Sequence, residues 1–500
     1  MPATDRLERA ARPGSRMLPT DALFWYAEEA TPELRPLVAA VLILDRLPDR
    51  DRLQKLLERW MVRIPRLRQR VVEAPLHLGL PEWEDDPHFE LEYHARDVVL
   101  PEPGTDAQLF EFASAVFATP LDHMRPLWEA YLIEGLQGGR AACFFKVHHT
   151  VMDGVASMAG FDALTQAHRA EPVRVPKALP MHPPRPPAVR VARLIRDLSW
   201  NAAAGMSAAA GFGMHAVLHP AQASDSVVHA IRGLRGFLRD LNAPTVHDPL
   251  ADPATGIGRR LDGMTLSLPR LRRIKDALGV TLNDVVLTLV SGAVGRYHEH
   301  RSVHVDELHC MVPISLRLEH ERGALGNRVG MCNIALPVGA ADPLIRLDII
   351  RRQTNAAKVD RRGAAYPLMM RALAFMPSVV FRLLAQAVTG RINLICTNVP
   401  GPPAIRYLAG AKVEVIYPFA PVAVGTPLSV ALLSYADVYG IGIDTDPAAI
   451  PDPELLHRYL AAEVDELERR ARVHPPAAVK IKVQRATRKG HDTRPQRAAS

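Results

Sequence analysis

Ala141-Ala142-Cys143-Phe144-Phe145-Lys146-Val147-His148-His149-Thr150-Val151-Met152-Asp153-Gly154 reads as an apolar strand that delivers two adjacent histidines and then an Asp-Gly turn signal. The segment after it, 155–161, has the look of a helix start. A histidine at a strand end can stand free of the sheet at the rim of a cleft. Unperturbed imidazole titrates near about 6.5, so such a side chain can take a proton at neutral pH. A His pair in this position can also be simply hydrogen-bonded, or be half of a metal site. Successive strand residues point to opposite faces, so the two rings cannot share one job if the strand runs through both. That argument does not choose between them.

Working outward, residues 128–133 read as a strand and 135–140 as a turn, Gly-Leu-Gln-Gly-Gly-Arg. The His-bearing segment is therefore the return arm of a hairpin, which gives the pair a rigid support. Upstream, 37–44 is an uninterrupted apolar strand. Leu53, Leu56, Leu57, Trp60 and Met61 recur at helical spacing behind Asp49 and Asp51 as caps. Alternating polarity predicts a strand over 89–94, and helical periodicity covers 109–118. Downstream, seven of the sixteen residues from 172 to 187 are proline, which excludes regular helix and sheet and marks a boundary. Residues 198–224 contain no Lys, Arg, Asp or Glu and are alanine-rich; they read as a close-packed helix or as a lipid-facing or acyl-lining surface.

The second half has its own elements. Strands are predicted over 258–268, 308–315, 329–338 and 393–397, with a hairpin over 428–434 and 438–444. Helices are predicted over 271–278, closed by Gly279, from 282 onward with Asn283 or Asp284 near its start, and over 344–360. A last helix follows Asp452 and Pro453. Both halves mix strands and helices, so the expected architecture is two α+β domains with a cleft between them. The divisions are 1–171, a 172–245 crossover and linker, 246–472, and a 473–500 tail.

Five hundred residues with 48% hydrophobic content can fill roughly two to three globular cores. The net charge of +7 is unevenly placed: residues 473–500 hold seven Lys/Arg against one Asp, leaving the rest about neutral. The body has no basic surplus for nucleic acid, and the tail is suited to anionic lipid headgroups. The four cysteines show no metal-ligand or CxxC spacing, as expected of reduced thiols in the cytosol. The N-terminus has no signal-peptide h-region, and no run reaches the ~20 apolar residues of a membrane span.

The pattern His148-His149-x-x-x-Asp153-Gly154 resembles the signature of the CoA-dependent acyltransferase superfamily, and the chain from about 18 to 470 resembles bacterial wax ester synthase/acyl-CoA:diacylglycerol acyltransferases. The motifs come in order: 18–24 with Asp21, Pro126-Leu127-Trp128, the His motif, Asn283-Asp284, Pro313-Ile314-Ser315-Leu316-Arg317, Gly326-Asn327-Arg328, and Thr397-Asn398-Val399-Pro400-Gly401-Pro402. Ser429 departs from the Asn expected in many members, which bears on substrate preference.

The resemblance implies two chloramphenicol-acetyltransferase-like (CoA-dependent acyltransferase) domains and transfer of a long-chain acyl group from acyl-CoA to diacylglycerol, a long-chain alcohol, or both. On that pattern His149 is the general base, His148 its support, and Asp153 a structural partner of an arginine beside Gly154. Asn283 is a cap or an oxyanion donor. Pro126, Leu127, Trp128, Asp284, Thr397 and Asn398 are expected to bind substrate. The chain shows no Gly-x-Ser-x-Gly elbow and no catalytic cysteine, so no acyl-enzyme is expected. Acyl-CoA is a substrate, and no cofactor, metal or nucleic acid is expected. The expected setting is cytoplasmic, peripheral to the inner membrane face or lipid droplets through the apolar segments and the basic tail. The alternatives are another alcohol or a carrier-bound acyl donor, or a catalytically silent lipid-surface protein.

Overall fold

The computed structural model describes residues 16–31, 35–75, 79–152, 154–177, 180–196, 199, 246–252, 258–315, 329–359, 392–422 and 425–473. Asp153, Leu316-Arg317, Gly326-Asn327-Arg328, most of the alanine-rich stretch and residues 474–500 lie outside them.

The first half runs α1 (Pro19–Ala30), β1 (Leu37–Leu44), α2 (Arg50–Arg63), β2 (Gln69–Val72), β3 (Glu82–Asp85), β4 (Ala95–Val99), α3 (Asp106–Ala118), β5 (Trp128–Leu136), β6 (Arg140–His148) and α4 (Gly154–Leu164). The second runs β7 (Arg260–Ser267), α5 (Leu268–Leu278), α6 (Leu282–His300), β8 (Leu308–Ser315), β9 (Val329–Leu336), α7 (Pro343–Val359), β10 (Leu394–Pro400), β11 (Tyr407–Leu408), β12 (Ala411–Phe419), β13 (Leu428–Tyr435), β14 (Val438–Thr445) and α8 (Glu454–Val473).

Two six-stranded mixed sheets carry the fold, ordered β11-β12-β1-β6-β5-β4 and β7-β14-β13-β10-β8-β9. β1 is apolar throughout because it is an inner strand, antiparallel to β12 on one side and β6 on the other. α2 starts where the Asp49 side chain accepts from the Arg52 N–H at 2.9 Å, and it buries Leu56, Leu57, Trp60 and Met61. α6 is buried along nearly its whole length and lies in the second core with α8. Among the described residues no single helix is long and apolar enough to cross a membrane.

Two expectations need correction. Residues 91–94 form a helical turn, and the strand begins only at Ala95; four alternating residues are too few to separate the two periods. The linear division at 246 also fails for residues 407–419, because β11 and β12 leave the second half and complete the first sheet. Glycine makes this crossing close. A Cβ on Gly440 would lie 2.0 Å from the Ile416 carbonyl oxygen, and one on Gly442 would lie 1.8 Å from that of Pro418.

Candidate active site

The hairpin of β5 and β6 holds the His pair by its backbone. The His148 N–H donates to the Leu127 carbonyl at 3.0 Å, and the His149 N–H donates to the Pro36 carbonyl at 2.7 Å. The Val151 N–H then closes a turn onto the His148 carbonyl at 2.9 Å. The strand ends at His148, which is completely buried, and His149 follows it into the turn half-exposed.

Both ring nitrogens of His148 are engaged. Nδ1 faces the Thr150 hydroxyl at 2.7 Å and accepts from the Thr150 N–H at 3.2 Å, which puts the ring proton on Nε2, donating to Glu28 Oε2 at 3.0 Å. The same carboxylate oxygen lies 3.2 Å from Nε2 of His123. Burial would raise the Glu28 pKa, but the two imidazoles outweigh it and hold the carboxyl down to about 2. The His123 pKa is raised by its hydrogen bond to Glu28.

α1 supplies the rest of this shell. Asp21, Phe24, Trp25 and Glu28 recur at i, i+3, i+4, i+7, one helical face. Phe24 stacks on His149 with ring centroids 4.2 Å apart, and Trp25 packs on His123 at 4.7 Å and presents an edge to His148 at 6.1 Å. Arg66 donates to Asp21 at 3.4 Å and to the Thr150 carbonyl at 3.3 Å while covering the Trp83 ring. The sequence reading missed Glu28, His123 and Phe24. The face pattern, with a carboxylate one turn beyond buried Trp25, was the available signal.

The Pro126-Leu127-Trp128 element, expected to bind substrate, is buried. Trp128 donates Nε1 to the Leu67 carbonyl at 2.8 Å, stacks on His94 and meets Trp60 edge-on, so the element props the His strand from behind. Asp284 is also turned inward. One carboxylate oxygen takes the Thr281 N–H at 3.0 Å and its hydroxyl at 2.7 Å, and the other takes the Thr354 hydroxyl at 2.7 Å. This capping box fixes the start of α6, and the Thr354 bond ties it to α7, so the buried Asp284 carboxylate is engaged on both oxygens. Thr281, not Asn283, is the N-cap, and Asn283 is half-buried in the first turn.

Thr397 and Asn398 are half-buried on β10, and Asn398 accepts from the Tyr439 hydroxyl at 2.5 Å. The described bonds of Asp284 and Asn398 all stay in the second half, and those that clamp the His pair come from the first. Gly154 opens α4. All four cysteines are buried, and burial pushes the Cys143 thiol up to about 12 and the Cys310 thiol well up too. Neither of these two supplies a thiolate nucleophile.

Residues 17–286 match the wax ester synthase/diacylglycerol acyltransferase catalytic domain, and 325–468 match the C-terminal domain of the same family. A putative diacylglycerol O-acyltransferase of Mycobacterium tuberculosis H37Rv is 32% identical over 90% of this chain and 91% of its own length. The O-acyltransferase WSD of Acinetobacter baylyi is 30% identical over 77% of this chain and 83% of its own. Among solved structures, the wax ester synthase/diacylglycerol acyltransferase of Marinobacter aquaeolei VT8 superposes with a TM-score of 0.62 at 25% identity, covering 91% of this chain and 99% of that one. The starter condensation domain of rhizomide synthetase superposes at 0.57 with 13% identity over 92% and 95%, a likeness of fold alone.

Proposed function

Because the chain belongs to the wax ester synthase/diacylglycerol acyltransferase family and is an acyltransferase, we propose that it moves a long-chain acyl group from acyl-CoA to diacylglycerol, a long-chain alcohol, or both, with His149 as general base and no acyl-enzyme. The observation that carries this reading is the division within the His pair. His148 is sealed in the core with both ring nitrogens committed, whereas His149 stands half-exposed on a backbone clamped from two sides.

In this mechanism His149 takes the acceptor's hydroxyl proton as that oxygen attacks the thioester carbonyl carbon. The tetrahedral centre then collapses with loss of the C–S bond, and the imidazolium returns the proton to the CoA thiolate. Phe24 shields one face of the ring and fixes its plane. Asn283, in the first turn of α6, is the proposed amide donor to the developing oxyanion. Acyl-CoA is consumed as a substrate, and the scheme uses no cofactor.

Purified protein supplied with radiolabelled palmitoyl-CoA and either a diacylglycerol or hexadecanol is expected to form labelled triacylglycerol or wax ester with release of free CoA. If neither ester forms and free CoA stays flat, the proposal fails. His149→Ala is expected to lower turnover by about 10²–10⁴-fold, the usual worth of a positioned base, with little change in thermal unfolding. Retained turnover would remove His149 from the role.

A further inference from the structure

Glu28 is a buried carboxylate held only by imidazoles. It is 8% exposed, and among the described residues no lysine or arginine pairs with it. Its Oε2 lies between Nε2 of His148 at 3.0 Å and Nε2 of His123 at 3.2 Å. His148 is sealed, whereas the His123 side chain, on the loop between α3 and β5, is 39% exposed. A buried negative charge needs a positive one beside it, so one of these two rings has to carry a second proton.

The two rings are not equal candidates. Nδ1 of His148 accepts the Thr150 N–H at 3.2 Å, and an imidazolium has no acceptor nitrogen. A charged His148 would set one N–H against another and release Thr150. Thr150 directly follows His149, and its carbonyl accepts from Arg66 at 3.3 Å, so the backbone on that side of the proposed base depends on a neutral His148.

His123 carries no such constraint. Among the described residues its ring bonds to Glu28 through Nε2, and its face packs on Trp25 with centroids 4.7 Å apart. The charged groups around it are Glu28 and Glu29 from α1 and Asp122 from its own loop, with the His148 ring of β6 at 6.4 Å. The hydrogen bond to Glu28, helped by the three carboxylates, raises its pKa against the effect of burial.

We propose that His123 is a positioning residue for acyl transfer: its imidazolium balances Glu28 and keeps His148 neutral, so that His148 Nδ1 holds the Thr150 N–H and with it the turn that presents His149. This deepens the function proposed above and rests on His149 as its base. When His123 loses its proton, the uncompensated carboxylate favours a solvent proton on His148 Nδ1, and the Thr150 N–H is expelled. Turnover is therefore full below the raised His123 pKa and falls as pH rises through it. The limb set by His149 runs the other way, because a base has to be neutral to act.

The experiment is the pH dependence of kcat for the full chain with palmitoyl-CoA and whichever of hexadecanol and dipalmitoylglycerol it esterifies, from about pH 6 to about pH 9. Wild type is expected to fall about 10-fold on the alkaline side. His123→Arg keeps a cation at every pH of the scan and is expected to hold its rate there. His123→Gln can donate to Glu28 but carries no charge, and is expected to run about 10-fold below wild type at neutral pH with no alkaline fall of its own. Thermal melting checks folding, and His123→Lys serves if the Arg variant does not fold. Parallel profiles, or a cationic variant that loses as much as His123→Gln at every pH, overturn the inference. The proton state of His148, read from the ring-nitrogen chemical shifts of labelled histidine, needs no turnover. It is expected to be neutral in wild type near neutral pH and charged in His123→Gln; a neutral ring in both overturns the inference. A wild type that makes neither ester removes the proposed function, and this second measurement then still decides what His123 does.

Discussion

The strand end at His148–His149 and the helix start at Asn283–Asp284 are both two-residue motifs in which one member is buried with its polar atoms matched and its neighbour is partly open. His148 and Asp284 are the anchors, 0% and 1% exposed. His149 and Asn283 are the outward members. The difference lies in who holds the anchor. Asp284 is held by the hydroxyls of Thr281 and Thr354, and the first of these is part of the same cap. His148 is held by a carboxylate 120 positions away that a second imidazole also claims. The cap is closed in part within its own turn by Thr281, whereas the His148 contact with Glu28 depends on a separate helix folded over the strand end. The comparison predicts that outward residues set rate and anchors set stability.

The largest test of that division is the His149→Ala loss given above. Next, Asn283→Ala is expected to lower kcat by about 10²-fold, the usual worth of one oxyanion donor, with KM for acyl-CoA moving little. An unchanged kcat in steady-state assays would leave Asn283 a spacer. Asp284→Ala should cost about 3 kcal/mol in urea unfolding, through the lost cap and the lost charge-assisted bond from Thr354, while turnover per folded molecule stays near wild type. A rate loss without a stability loss would reverse its assignment as anchor.

Smallest at neutral pH, Glu28→Gln is expected to cost about 2 kcal/mol. Its pH dependence is more telling than its size. The Glu28 carboxyl is held at about 2 against an ordinary 4.5, so its contribution is full above about pH 4.5 and is lost as pH falls toward 2. Acid titration of unfolding free energy should therefore show wild type losing its advantage over Glu28→Gln across that window. Parallel curves would dissociate Glu28 from the His148 shell.

Much of the frame was legible because it is periodic. The uninterrupted apolar run of 37–44, the hairpin ahead of the His pair, and the helix closed by Gly279, whose φ is +64°, follow from local chemistry. What was not legible depends on distance. Glu28 is an ordinary helix carboxylate until His148 and His123 arrive from about a hundred residues downstream. Pro126-Leu127-Trp128 looked like a binding wall because its aromatic and apolar character suits a lipid, yet that same character buried it behind the His strand. Asn283-Asp284 suggested a capping residue, but the cap is Thr281, because an Asp at the third helical position completes the box as a Glu would. The helical turn at 91–94 defeated a two-residue period over too short a span.

The crossing of β11 and β12 has a mechanical consequence. β1, the inner strand whose preceding residue Pro36 fixes His149, takes its outer row of hydrogen bonds from residues 413–419. Cutting the chain in the crossover and expressing residues 1–171 alone would leave β1 as a long, bare, apolar edge, a template for aggregation. The strand end at His149 is thus under the custody of residues 413–419, synthesised well over two hundred residues later, and the first sheet is complete only when most of the chain exists.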